Sequence, residues 1–134
     1  MVNFHGVDTV PEKFRGRLFY KHNANVTLMR TTSEECRALG REIGRKLAAA
    51  RGPAALHFPK RGVSAIDRTG QPFDDLAARD ALLAGLRETH GRAALVEHDL
   101  HVNDAAFADA AANALLQMLR ASPAARPSPN ASIR

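Results

Sequence analysis

The sequence predicts an α/β domain with three helices packed on parallel strands, and three observations carry that prediction. Strand-like and helix-like stretches alternate three times along the 134 residues, an order that joins parallel strands through right-handed crossovers. The length suits one domain of roughly 100–150 residues and is short for two. Hydrophobic residues make up 45% and charged residues 25% of the chain, the proportions of a globular protein, which excludes disorder throughout.

The elements follow in order. Met1 to Asn25 reads as irregular, with a short apolar start at Val2 and Phe4 and one helical turn opened by Pro11 and reaching Phe14. Val26-Thr27-Leu28-Met29 is a β-favouring run that ends at Arg30. Thr32-Ser33-Glu34-Glu35 spells a capping box: the Thr32 hydroxyl accepts from the Glu35 amide, and the Glu35 carboxylate accepts from the Thr32 amide. Cys36, Leu39, Ile43, Leu47 and Ala50 then recur at steps of three and four, which predicts a helix from Ser33 to Arg51 with that stripe inward. Gly40 and Gly44, one turn apart, let this helix approach a sheet closely, before Gly52 and Pro53 end it. A second strand spans Ala54 to Phe58, and the turn-rich stretch Pro59 to Pro72 follows it. The second helix runs from Asp74 to His90 with Leu76, Leu83 and Leu86 inward, and the third strand from Ala94 to Val96 or Glu97. Asp104 caps a third helix on the stripe Phe107, Ala111, Leu115, Met118 and Leu119. Residues 122–134 hold three prolines among Ser, Ala and Asn, the composition of a disordered tail.

Composition narrows the function classes. No apolar run approaches the roughly 20 residues that cross a bilayer, and Met1 to His5 lacks the basic-then-apolar pattern of a secretory signal, so a cytoplasmic location is expected. The single cysteine, Cys36, excludes an internal disulfide, and on an apolar stripe it acts as a small hydrophobe. Residues 1–61 carry 12 Lys/Arg against 5 Asp/Glu, whereas residues 62–121 carry 5 against 9. A basic half of this kind binds phosphate or nucleic acid, or else faces its own acidic half or another subunit. With six Phe, one Tyr and no Trp the chain offers no base-stacking platform, so nucleic acid is the lesser of these readings.

Ligands of open parallel sheets sit beyond the carboxyl ends of the strands, and that rule selects three loops. In the first, Arg30, Thr31 and Thr32 suit a phosphate or carboxylate; alternatively the threonines cap the helix and Arg30 pairs with a nearby acid. As a clamp, Arg30 would cost binding on removal and little stability. The second, Pro59 to Asp67, offers Lys60, Arg61, Gly62 and the Ser64 hydroxyl; it lacks P-loop spacing, and no GxGxxG occurs in the chain. The third, His98 to Asp104, gathers two histidines and two aspartates. These are candidate metal ligands without a fourth donor, so no metal site is assigned. Asn103 and Asp104 also read as cap residues, and His101 as a loop histidine holding a backbone carbonyl. His22 and Asn23 either close over this edge as a lid or form a turn.

Four linked runs carry a resemblance. Asp8 to Arg15, then His22-Asn23 with Val26 to Thr32, then Arg61-Gly62-Val63-Ser64-Ala65-Ile66-Asp67, then His101-Val102-Asn103-Asp104 with Phe107-Ala108, together resemble the family of Tm one-like ATP-binding domain proteins. That family includes uncharacterised bacterial proteins and the tomato mosaic virus resistance protein. The match spans about residues 1–119, and residues past Ala121 match nothing in it. The resemblance implies a longer protein of two Rossmann-like domains, of which residues 1–121 correspond to the C-terminal part of the second: a partial Rossmann-like parallel sheet of three to four strands with three helices. Lys60, where the family commonly has leucine, and His98, where an aliphatic or acidic residue is usual, depart from its pattern.

The function expected from these readings is a C-terminal subdomain, non-catalytic alone. It would supply Arg30, Thr31, Thr32, Arg61, Gly62, Ser64, His101, Asn103 and Asp104 to an anionic-ligand site that another domain or chain completes. ATP with magnesium is the ligand the resemblance implies, with no cofactor expected for the isolated chain. The expected partners are the missing N-terminal portion or a second copy of the chain, because a partial sheet leaves an edge and an apolar face uncovered. Two alternatives stand beside this reading. One is a hydrolase or ligase with His101 or Asp104 as general base and Arg30 with Arg61 as anion clamp; the other is a basic interaction module.

Overall fold

The computed structural model describes residues 1–121; the tail expected over 122–134 lies outside the described residues. The fold is α/β with three helices. In chain order the elements are β1 (Val2–Phe4), β2 (Phe19–Asn23), β3 (Val26–Met29), α1 (Ser33–Ala48), β4 (Ala55–Pro59), α2 (Leu76–Thr89), β5 (Ala94–His98) and α3 (Ala105–Ala121). Pro11 precedes a single 3-10 turn, Glu12–Phe14, as its fixed φ favours.

The strands form two sheets. β4 and β5 pair in parallel, with Ala55 opposite Ala94 and Pro59 opposite His98. β3 does not extend that ladder as the alternation predicts. It lies between β1 and β2 and pairs antiparallel to both. The cause is local: the Asn23 side chain accepts from the Asn25 amide at 2.8 Å and closes a hairpin, so β2 folds back on β3. β1 occupies the other edge, and neither edge of β3 is left for a parallel neighbour. The N-terminal stretch read as irregular thus supplies two strands.

α1 begins on the predicted capping box, with Thr32 Oγ1 accepting from the Glu35 amide at 3.2 Å and Glu35 Oε2 accepting from the Thr32 amide at 2.8 Å. Its inward face differs from the predicted stripe. Cys36, Gly40 and Gly44 are buried, whereas Leu39 and Ile43 are exposed. The helix turns its small residues to α2 instead of a sheet. A Cβ on Gly40 would press on the carbonyl oxygen of Leu82, and one on Gly85 would press on that of Arg37. Bare backbone meets bare backbone, and the Thr89 hydroxyl bridges the crossing by donating to the Arg41 carbonyl at 2.8 Å, with the carbonyl of Gly85 in its own helix at 3.2 Å.

α2 covers one face of the β4–β5 sheet, where Phe58, Leu83 and Leu86 form the core with Leu56, Leu82 and Leu95 around them. Leu83 and Leu86 are inward as predicted; Leu76, in the first turn beside the cap Asp75, is exposed. Side chains alternate along strands, so His57, Val96 and His98 lie on the opposite face. α3 approaches that face, and none of its 17 residues is buried. Among the described residues no helix is long and apolar enough to cross a membrane.

Part of the charge asymmetry is met inside the fold. Arg30 pairs with Asp67, Arg37 and Arg41 with Glu88, and Arg61 with Asp99, so cations of the basic half meet acids of the acidic half.

Candidate functional site

Beyond the carboxyl ends of β4 and β5 the second and third loops are laced together. The Lys60 amide donates to the His98 carbonyl at 2.9 Å, the Arg61 amide to Leu100 at 3.0 Å, and the Val102 amide to Gly62 at 3.0 Å. Gly62 sits at φ +133°, where a Cβ would come within 2.8 Å of both the Asp67 carbonyl oxygen and the His101 ring. Only glycine suits the position. His101 is buried against it and both ring nitrogens are engaged. Nδ1 accepts from the Asn103 amide at 3.1 Å, which assigns the proton to Nε2, and Nε2 donates to the Ser64 carbonyl at 3.0 Å. Asp104 accepts from the His101 amide at 2.8 Å. The Ser64 hydroxyl is buried and has no partner among the described residues.

The first loop joins this cluster through Asp67. That carboxylate is almost fully buried; one oxygen accepts from Arg30 at 3.0 Å and from Arg79 at 3.2 Å, the other from the Val63 amide at 3.1 Å. Arg79 also donates to Asp74 at 3.0 Å. Burial works against the Arg79 charge, but its bonds to Asp74 and Asp67 outweigh that and raise its pKa. Arg30 is therefore a buried ion-pair partner, the second of the two readings of that loop. Thr31 turns its hydroxyl to the Cys36 sulfur at 3.2 Å, and Thr32 is committed to its cap. Arg30, Gly62, Ser64, His101, Asn103 and Asp104 thus share one network. His22 and Asn23 do not belong to it: β2 runs antiparallel to β3, so they sit at the hairpin turn, at the end of β3 away from Arg30.

Arg61 is the exception on this rim. Its guanidinium is exposed and, among the described residues, is held by Asp99, through bonds of 3.0 and 2.7 Å that raise the Arg61 pKa and lower that of Asp99. Such a surface pair exchanges partners at little cost. His101 contrasts with it: buried, with both nitrogens committed, it has no lone pair to offer a substrate proton, and Asp104 is occupied in holding the loop. That geometry does not suit the general-base reading.

Sequence reasoning left aside the roles of Asp67 and Arg79 and the pairing of His98 with His57. Asp67 lies within the quoted second-loop run, but its partners are 37 and 12 residues away. Arg79 could have been flagged as a charge in register with Leu83 and Leu86 on an otherwise apolar helix face. His57 and His98 meet across the parallel pair with Nδ1 and Nε2 2.8 Å apart and ring planes 14° apart, and Phe107 stands edge-on to His98. Among the described residues no three His, Cys, Asp or Glu side chains gather for a metal.

Burial, and then the field of His98, lower the pKa of His57 from its ordinary 6.5. The unfolded chain consequently takes up this proton first, and the His57 contribution to stability, full above about pH 6.5, declines as the pH falls below it. Urea unfolding midpoints followed from about pH 8 to about pH 5 are expected to show that decline, and His57→Gln to flatten it. An unaltered slope in the variant would assign the acid sensitivity to other groups.

Comparison with known proteins gives the chain its family. Residues 1–119 match the C-terminal domain of the uncharacterised protein family UPF0261. The chain belongs to that family. A UPF0261 protein of Rhizobium meliloti is 52% identical over 114 residues, covering 83% of this chain and 29% of the relative; one of Clostridium tetani is 46% identical over 121 residues, covering 89% and 30%. The ToMV resistance protein Tm-1(GCR237) of Solanum lycopersicum is 36% identical over 121 residues, which are 88% of this chain and 16% of that protein. The resemblance seen in the four runs is thus a family relationship. The chain spans less than a third of the length of these UPF0261 relatives.

Proposed function

We propose that this UPF0261 C-terminal domain is a non-catalytic half-site. Its rim loops, 59–67 and 98–104, present an anion-binding edge to a ligand whose remaining contacts come from another domain or chain. Arg61 is the observation that carries the reading: an exposed guanidinium at the carboxyl end of a parallel strand pair, held by one exposed carboxylate, on loops locked from beneath by His101 and Asp67. Lys60 and Asn103 flank it as further exposed polar side chains. Arg30, Thr31 and Thr32 shape the rim from inside and do not touch the ligand. The family resemblance favours ATP with magnesium, and Tm-1 itself is named only for virus resistance, which is not carried over. The fit of the basic half to its own acidic half weakens the alternative of a general basic module.

The test is a titration of ATP with magnesium, and separately of inorganic triphosphate, followed by melting temperature and calorimetry. The isolated chain is expected to show no stabilisation, and the domain within a complete UPF0261 protein to bind. There Arg61→Ala is expected to weaken affinity roughly 10- to 100-fold, the value of a charge-assisted hydrogen bond. A shift of several degrees in the isolated chain would show a whole site in place of half of one; unchanged affinity in Arg61→Ala would remove the rim from the site.

A further inference from the structure

α3 has two long faces. Phe107, Ala111, Ala114 and Met118 are half-buried toward the β4–β5 sheet. On the adjoining side Ala108, Ala112, Leu115 and Leu119 follow one another at steps of four, three and four, and Leu115, Leu116 and Leu119 are 54%, 48% and 55% exposed. Consecutive side chains at that spacing form one apolar stripe, of the sort that another helix covers.

The charges beside the stripe indicate which helix. α3 carries two charged residues, Asp109 and Arg120. They are eleven residues apart, about three turns or 16 Å, so they stand on the same flank within about 20° of each other. Their midpoint falls between Ala114 and Leu115, at the centre of the leucine stripe. Antiparallel helices related by a two-fold axis place like flank against like flank and reverse the order along them. Asp109 of one copy then meets Arg120 of the other, at both ends. The same register sets Leu119 level with position 110 of the second copy, between its Ala108 and Ala112, large side chain against small.

We propose that α3 is a homodimer interface, in which two copies of this chain pack their α3 helices antiparallel about an axis beside Leu115, with Asp109 of each paired to Arg120 of the other. This inference is independent of the anion rim, since α3 meets that rim only at its first turn.

Sedimentation equilibrium on the full 134-residue chain tests it. The expected result is a reversible dimer that Leu115→Glu converts to monomer. Glutamate is as good a helix former as leucine, and the side chain is exposed in the single copy, so far-UV circular dichroism should be unchanged. Asp109→Arg and Arg120→Asp should each weaken the dimer roughly five- to tenfold, and the double variant Asp109→Arg/Arg120→Asp should restore it. A wild-type chain that stays monomeric up to about 100 μM overturns the proposal. So does a dimer that survives Leu115→Glu, a double variant no better than the singles, or association seen only with the remainder of a UPF0261 protein.

Discussion

Asp67→Ala is expected to lower the stability of the domain by about 3–5 kcal/mol, the cost of removing one partner from a buried ion pair. The carboxylate is the common acceptor for Arg30 and Arg79, both about nine-tenths or more buried, and for the Val63 amide. Without it two guanidiniums are left in a poorly hydrated interior, with Asp74 the one remaining carboxylate bonded to Arg79. The loop around Gly62 would also lose the anchor that positions it over His101. Urea unfolding of purified variants measures the effect, and Arg61→Ala supplies the contrast. That residue has an equally well-formed pair, but an exposed one, and a change within about 0.5 kcal/mol is expected there. Arg30→Ala should behave like Asp67→Ala, by leaving a buried carboxylate with one partner fewer. The sequence reading of Arg30 as a clamp, silent for stability, is corrected on this point. A loss below about 1 kcal/mol in Asp67→Ala would mean that the buried network relaxes into contact with water.

Gly85→Val is expected to be the second large effect, a loss of about 1–3 kcal/mol or more from overpacking, with the α1–α2 crossing forced open. The added side chain would meet the Arg37 carbonyl and, at 2.9 Å, the Arg41 amide, and neither is the tip of a flexible group that could swing away. Helix propensity works in the opposite sense, since glycine is the poorer former, but by less than about 1 kcal/mol. Gly52→Ala is the control: among the described residues nothing lies within 4 Å of a Cβ at Gly52, so its melting temperature should stay near that of the parent. If Gly85→Val melted with the control, the close approach of the two helices would not contribute to stability.

These two sites also mark what the sequence can and cannot disclose. The capping box at Thr32, the helix behind it and the β-branched run at Val26 are written in neighbouring residues, and each lies where local pattern puts it. The partner of β3 is not local information of the same kind. β3 pairs antiparallel because the Asn23–Asn25 turn brings β2 back along it, and that turn was readable as a turn but not as a hairpin. β1 and β2 escaped because one is three residues long and the other holds Lys21, His22 and Asn23, a polar edge with little β preference. On α1 the larger apolar residues, Leu39 and Ile43, drew the inward face toward themselves. The four-residue spacing of Cys36, Gly40 and Gly44 was the better guide, because a helix meeting another at close range selects small side chains over oily ones. For the rim, the three loops were legible as loops, and their convergence on Asp67 was not: the acid's arginine partners lie far along the chain on separate elements, and nothing in the residues beside it announces them.

The two sheets share no ladder, and this has a bearing on the order in which the chain assembles. The β2–β3 hairpin closes through a turn of two residues, a process of microseconds that needs nothing downstream. β4 finds β5 only after the 34 intervening residues, 60–93, have been made and α2 has been laid across them. During synthesis the turn of the hairpin can close while Arg30 still awaits its acid and α1 its partner helix, and it is residue 67 and α2 that tie the early half to the late one.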